Sequence, residues 1–290
     1  MRVSLICFAI MTLAVAAQAQ DAAPPFASFD LASAPILNDP HDLTVGPDGH
    51  IYVADKFGNR LVVLDAETLE LVGMLGEGAL PGVHDISFDA TGRAAIAVTG
   101  ANVVAVYADI ARAGESPDLI LPAPRAEGAL SHSNGRVYAM ASGAGTLIAY
   151  DGPNIVAVAD GHFGAHDVAE DGTGNIWVAD NEQRRLVKYS PDLQRLQIID
   201  APKFGFRGPR YLDIDEFGRL VVADQDAHRI LLIDPDGPDG GTLLGVLGDG
   251  SPGLGPNRFD DPEGIAVLGS RFYISDSDNN RIVRYSVVLN

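Results

Sequence analysis

Three histidines are each followed by aspartate and then an aliphatic residue: His41-Asp42-Leu43, His84-Asp85-Ile86 and His166-Asp167-Val168. Neutral imidazole is the commonest protein ligand for zinc, and three ligands with one open position make the catalytic pattern. The trio therefore reads as candidate ligands for zinc or another divalent transition metal. Such an ion would polarise a substrate or lower the pKa of a bound water. No thiolate competes for the role, because the one cysteine, Cys7, lies in the apolar run at the N-terminus.

A repeat positions these residues. Four segments align closely: PHDLTVGPDGHIYVADKFGNRLVVLD (40–65), AHDVAEDGTGNIWVADNEQRRLVKYS (165–190), PRYLDIDEFGRLVVADQDAHRILLID (209–234) and PEGIAVLGSRFYISDSDNNRIVRYS (262–286). Weaker copies occupy 83–108 and 127–151. Each copy reads as strand, turn, strand, tight polar loop, strand, with a fourth strand after it. Four strands per ~40 residues, six times over, predict an all-β, six-bladed propeller with four-stranded antiparallel blades. The sixth copy ends with its third strand. The segment 26–37 is expected to supply the missing outer strand and close the ring.

Topology then sorts the loops. The start of each inner strand, the blade-to-blade connectors and the loops between second and third strands share one face. On the copies as aligned, the six positions at the channel mouth are His41, His84, Gly128, His166, Arg210 and Glu263. Strand alternation sends each neighbouring aspartate the other way, and a register slip of one residue would exchange the two roles.

The stretches GHIYVADKFGNRLVVL and DPEGIAV…FYISDSDNNRIVRY resemble NHL repeats, and the resemblance runs over about 38–290. It implies a six-bladed propeller and says little about activity, since one fold hosts many. Pro40-His41 is also similar to the peptidyl-amidating lyases, NHL propellers whose zinc histidines open inner strands after proline. That resemblance implies zinc at this ring. His84 and His166 match by repeat position but follow Val83 and Ala165, and the three histidines fall on blades one, two and four rather than alternating. The lyase Tyr and Arg are missing from the loops between second and third strands, which read Lys56-Phe57, Asn181-Glu182, Gln225-Asp226 and Ser277-Asp278.

The connector APKFGFRGPRY (201–211) gathers Lys203, Arg207, Arg210 and Tyr211 in an otherwise acidic chain. Cations at a cleft favour an anionic ligand, and Arg210 could hold a carboxylate with two hydrogen bonds. Glu263 is the candidate general base and His162 a candidate acid/base or fourth ligand. The recurring pairs Asp55/Arg60, Asp180/Arg185, Asp224/Arg229 and Asp276/Arg281 read as loop and strand architecture, because one function repeated around a ring is structural. His50, His132 and His228 read as turn or surface residues.

The first 19 residues have a basic start, an apolar run and Ala17-Gln18-Ala19, which reads as a secretory signal. A single mature domain over 20–290, periplasmic or secreted and without a membrane anchor, is expected. The full chain's net charge of −19 excludes an overall basic surface for nucleic acid. A monomer acting on a small anionic molecule or peptide, as a metal-dependent lyase or hydrolase, is the leading expectation. A non-catalytic scaffold for a peptide, glycan or protein stays open beside it, as does a gluconolactonase-like sugar-lactone hydrolase.

Overall fold

The computed structural model describes residues 25–200 and 202–288. The secretory signal expected over 1–19 lies outside the described residues. No helix among those described is long and apolar enough to cross a membrane.

Six four-stranded antiparallel sheets stand around a channel, as the repeat predicts. The inner strands are Pro40–Val45, Val83–Phe88, Ala126–Ser131, Asp167–Glu170, Pro209–Ile214 and Pro262–Leu268, in blades one to six. The outer strand of blade six comes from the N-terminus: Ala27–Ala32 pairs antiparallel with Arg281–Val287. The ring is thus closed by both ends of the chain, which leaves no open seam between first and last blade.

The second strands, such as Ile51–Asp55 and Leu220–Asp224, are buried along their whole length. Each is covered on both faces by its neighbour blades, so its sequence is a continuous apolar run rather than an alternation. The core accordingly lies between blades. One cluster joins Tyr211, Val221 and Ile230 of blade five to Ile265, Phe272 and Val283 of blade six. Another sets the single Trp177 of blade four against Leu212, Leu220 and Leu231 of blade five.

The four Asp/Arg pairs are architectural. Arg60, Arg185, Arg229 and Arg281 each place Nε 2.7–2.9 Å from the carboxylate of Asp55, Asp180, Asp224 or Asp276. The same carboxylates reach the connector; Asp224 Oδ1, for example, accepts from the backbone N–H of Arg207 and Gly208, both at 2.8 Å. Each pair therefore ties a loop to the connector that precedes its blade. The aspartates of the lower turns do local work, as Asp171 Oδ1 does in accepting from the N–H of Thr173 and Asn175. His50 pairs with Asp48 in such a turn, His132 bonds the Gly174 carbonyl, and His228 occupies a left-handed turn position with φ 49°.

The inner strands carry the feature that matters for the site. In blades one, two, three, five and six the pairing with the second strand breaks near the start of the strand. In blade three Ala126 pairs with Ala141 and Gly128 with Met140, so Glu127 is the extra residue. His84 and Arg210 are skipped in the same way. In blade four the His166 N–H still reaches the Ala179 carbonyl, at 3.1 Å, just ahead of the regular strand. A bulge re-aims the side chain it carries. The ring is therefore His41, His84, Glu127, His166, Arg210 and Glu263. The sequence alignment put Gly128 in third place, and the bulge corrects this by one residue.

The aspartate after each ring histidine points down the channel. There Asp85 Oδ2 accepts from the Ala129 N–H at 2.6 Å, and Asp167 Oδ2 from the Leu212 N–H at 2.7 Å. Asp213, three residues after Arg210, takes the Val267 N–H at 2.8 Å. These carboxylates staple one inner strand to the next. Asp42 and Asp85 share a hydrogen bond, and burial together with the Asp85 and Asp167 charges pushes the Asp42 carboxyl well up.

Candidate metal centre

The bulges aim the ring side chains into one buried layer. His84, Glu127 and His166 each offer a donor atom within 4.8 Å of the others. Glu127 Oε2 lies 2.5 Å from His166 Nε2 and 3.9 Å from His84 Nε2. All three side chains are at least 95% buried, on exposures of 3%, 1% and 5%. Both ring nitrogens of His84 and Nδ1 of His166 make no hydrogen bond, while Glu127 Oε2 and His166 Nε2 meet only each other. Buried polar atoms without partners are rare in native proteins and each needs an explanation, an ion among them. Two imidazoles and a carboxylate are a known zinc donor set with room for a further ligand. The donor chemistry and the orphaned atoms therefore fit a divalent metal.

The protonation states agree with that division. Burial, and then the His41, His166 and Arg210 charges, push His84 well below the ordinary imidazole value. Burial and Arg210 likewise lower His166. Metal ligation needs neutral imidazole, so both are prepared for it. Glu127 stays ionised. Burial opposes its charge, but His166 and the Arg125 guanidinium outweigh burial and hold it down to about 2. Arg125 Nε is 2.5 Å from Glu127 Oε1, which leaves Oε2 turned to the histidines.

His41 stands against the trio, its ring 4.1 Å from that of His84 centre to centre, but its nitrogens face elsewhere. Nδ1 is 2.5 Å from Glu263 Oε2, and Nε2 is 2.8 Å from Lys56 Nζ and 3.2 Å from Asp39 Oδ2. Burial would lower its pKa, yet the Glu263 charge and the Asp39 and Glu263 contacts raise it. The three histidines are thus brought together as the sequence suggests, while the converging donor set substitutes Glu127 for His41.

Glu263 and Arg210 connect the layers. Arg210 Nε is 3.3 Å from Glu263 Oε1, and Gln225 bridges them, accepting from Arg210 Nη1 at 2.9 Å and donating to Glu263 Oε1 at 2.8 Å. Burial raises the Glu263 carboxyl, but His41 and Arg210 outweigh it, so Glu263 is held below its usual value. Above this network a cavity of about 490 Å³ opens at the mouth, with His41, Lys56, Arg210, Asp261 and Glu263 in its wall. Burial and the nearby Glu263 charge push the Asp261 carboxyl up to about 6.

The other sequence candidates are placed outside this layer. Tyr211 is fully buried beside the ring, 6.5 Å from His41 and 6.4 Å from His166 between ring centres, and its hydroxyl donates to the His84 carbonyl. It is wall rather than binding surface. Lys203 donates to the carbonyls of Pro238, Asp239 and Gly241 and lines a separate groove between blades five and six. Arg207 is exposed and does not border the mouth cavity. His162 is fully buried between Asp180 Oδ2 at 3.1 Å and the Tyr189 hydroxyl at 2.7 Å. Glu127, Lys56 and Gln225 were missed. The match of Ala126-Glu127-Gly128 to Pro262-Glu263-Gly264 signals the first, and Lys56, Gln225 and Ser277 all follow a loop aspartate.

The NHL repeat family matches residues 37–64, the first three strands of blade one and the turn before them. No curated protein matches the sequence significantly. Among solved structures, virginiamycin B lyase from Staphylococcus aureus is similar with a TM-score of 0.62 at 13% identity, over 87% of this chain and 96% of that one. The PQQ-bound aldose sugar dehydrogenase from Streptomyces coelicolor gives 0.61 at 14%, over 91% and 100%. The Swd1 β-propeller domain from Myceliophteria thermophila gives 0.64 at 11%, over 90% and 100%. Identities this low speak for the fold alone, and the three differ widely in what they are. The chain is a six-bladed β-propeller that carries an NHL repeat in its first blade.

Proposed function

We propose that this propeller is a metal-dependent lyase or hydrolase that takes a small anionic substrate at the channel mouth and works outside the cytoplasm. One observation carries the reading: the buried donor atoms of His84, Glu127 and His166 converge behind His41, which stands in the wall of a cavity that also contains Arg210. A divalent ion bound there would act as a Lewis acid toward a substrate carbonyl or water. The protein's own residues do the rest. Arg210, in the cavity wall, and Lys56 at the rim hold the substrate's negative charge.

His41 and Glu263 supply the proton transfer. Glu263 is a poor base by itself, since its carboxyl is held low. It is instead set to orient the His41 ring through Nδ1, with Nε2 on the cavity side between Lys56 Nζ and Asp39 Oδ2. This is the base-and-orienter arrangement of acid–base sites. The sequence made Glu263 the base, and the geometry favours His41 in that role with Glu263 behind it.

The competing reading is a non-catalytic binding propeller. Phe57, 60% exposed at the mouth, and Phe163, 64% exposed before blade four, favour it. Elemental analysis of purified, untagged protein separates the two. Stoichiometric metal that is lost in a His84→Ala/His166→Ala double variant supports the enzyme reading. Substoichiometric metal, or metal indifferent to that change, sinks it.

A further inference from the structure

The mouth cavity has an unusual wall for a small-molecule site. Ligand pockets are lined mainly by apolar and aromatic side chains with a few polar groups to orient the ligand. Here Phe57 is the one apolar residue among twelve, and the rest are charged groups, amides and Ser277. The deep end holds the cation Arg210. The outer end holds Asp261, Asp278, Asn38 and Asn280, from the loops and connectors of blades one and six. Among the described residues, the side chains of Asn38 and Asp278 make no hydrogen bond to protein, while Asp261 accepts from Gln225 at 2.8 Å through Oδ2.

These groups discriminate by what they lose. An apolar ligand would strip water from carboxylates and amides and return nothing, leaving each of those groups unpaired. A second anion at the outer end would face the Asp261 and Asp278 charges. A ligand dense in hydroxyls replaces the displaced water bond for bond, because each hydroxyl both donates and accepts. Carboxylates and amide oxygens at the rim are acceptors for hydroxyl protons, and amide N–H groups serve hydroxyl oxygens.

We infer that the substrate is a small polyhydroxylated carboxylate, with the carboxylate toward Arg210 and the hydroxylated end against Asn38, Asp261, Asp278 and Asn280. The inference rests on the reading of the mouth as a substrate site. It adds to that reading a hydroxyl requirement, which a simple anion site would not have.

Titration calorimetry of the full mature protein, with zinc supplied and metal content measured on the same sample, tests it. The probes are gluconate, hexanoate of the same chain length and charge, and putrescine. Gluconate is expected to bind at least about tenfold tighter than hexanoate, as a site built to hydrogen-bond hydroxyls discriminates against their absence. An Asn38→Ala/Asp278→Ala variant, altered only at exposed side chains, is expected to bring the two close to parity with an unchanged melting temperature. Equal or tighter hexanoate binding, preferred putrescine, no binding by any probe, or a gluconate preference untouched by the double variant would each overturn the inference. The metal measurement keeps the two proposals apart. Bound metal without gluconate preference removes only the substrate class, and gluconate preference without metal removes only the metal-dependent chemistry.

Discussion

Glu127 Oε2 lies 2.5 Å from His166 Nε2, with the other oxygen of the same carboxylate 2.5 Å from Arg125. One buried carboxylate therefore sits between a surface cation and an imidazole, with one oxygen pointed at the place where His84 also converges. That makes Glu127, and not His41, the third member of the donor set. A His41→Ala variant is expected to keep its metal, whereas Glu127→Ala is expected to weaken affinity by at least about 100-fold, since it removes a direct ligand. Chelator competition on the two variants measures this. Equal losses in both would restore the three-histidine site.

Arg125 would act on a bound metal only through Glu127. It is largely exposed, so its removal should leave the fold intact. Arg125→Ala is expected to lower metal affinity by about tenfold, the lower end of what supporting residues contribute. Arg125→Lys should recover part of that. An affinity unchanged in Arg125→Ala would mean that Glu127 is positioned by packing alone.

Gly128 allows the blade three bulge to press against blade four. A Cβ there would collide with the His166 carbonyl oxygen and come 3.1 Å from Met140 Cβ. Gly128→Ala is expected to destabilise the chain by about 1–3 kcal/mol and to move His166 away from Glu127. Urea unfolding and metal titration on the same variant should both register the change.

The Asp/Arg pairs predict the opposite separation. Asp224 is fully buried, bonds Arg229 at 2.7 Å and accepts two backbone N–H groups. Asp224→Ala strands these donors and is expected to cost about 3 kcal/mol. Metal stoichiometry per folded molecule should not change. Lost metal in protein that is still folded would place this loop in the site.

Asp213 gives a pH prediction with a definite sign. Burial pushes its carboxyl up to about 6 from the usual 3.8. Between those values the folded chain holds a proton that the unfolded chain has released. Stability therefore falls as pH rises from about 4 to about 6 and levels off above, with a span of up to about 3 kcal/mol. Asp213→Asn can still accept the Val267 N–H and carries no charge. It should lose this slope and gain on the wild type between pH 4.5 and pH 7, in urea melts, by an amount on the order of that span. Parallel stability curves for the two proteins would contradict it.

The repeat made the propeller legible from the chain itself, because each blade buries both faces of its second strand and so writes a recurring apolar run between turn signals. The N-terminal closure was legible for a related reason: the sixth copy lacks a fourth strand, and 26–37 had no blade of its own. The histidine ring could also be found, since the residues recur at one position of the repeat.

Tertiary structure decided which donors meet. A bulge adds one residue to the inner strand without changing its apolar pattern, so an alignment reads Gly128 as easily as Glu127 in the ring. Partner choice around the ring depends on where closure places residues far apart in sequence. His41 turns to Glu263, 222 positions along the chain, and His84 and His166 turn to Glu127. The His-Asp pairing seen first in the sequence proves to be two jobs on adjacent residues. The histidine joins the buried ring and the aspartate looks down the channel, because the pleat and the bulge send them opposite ways.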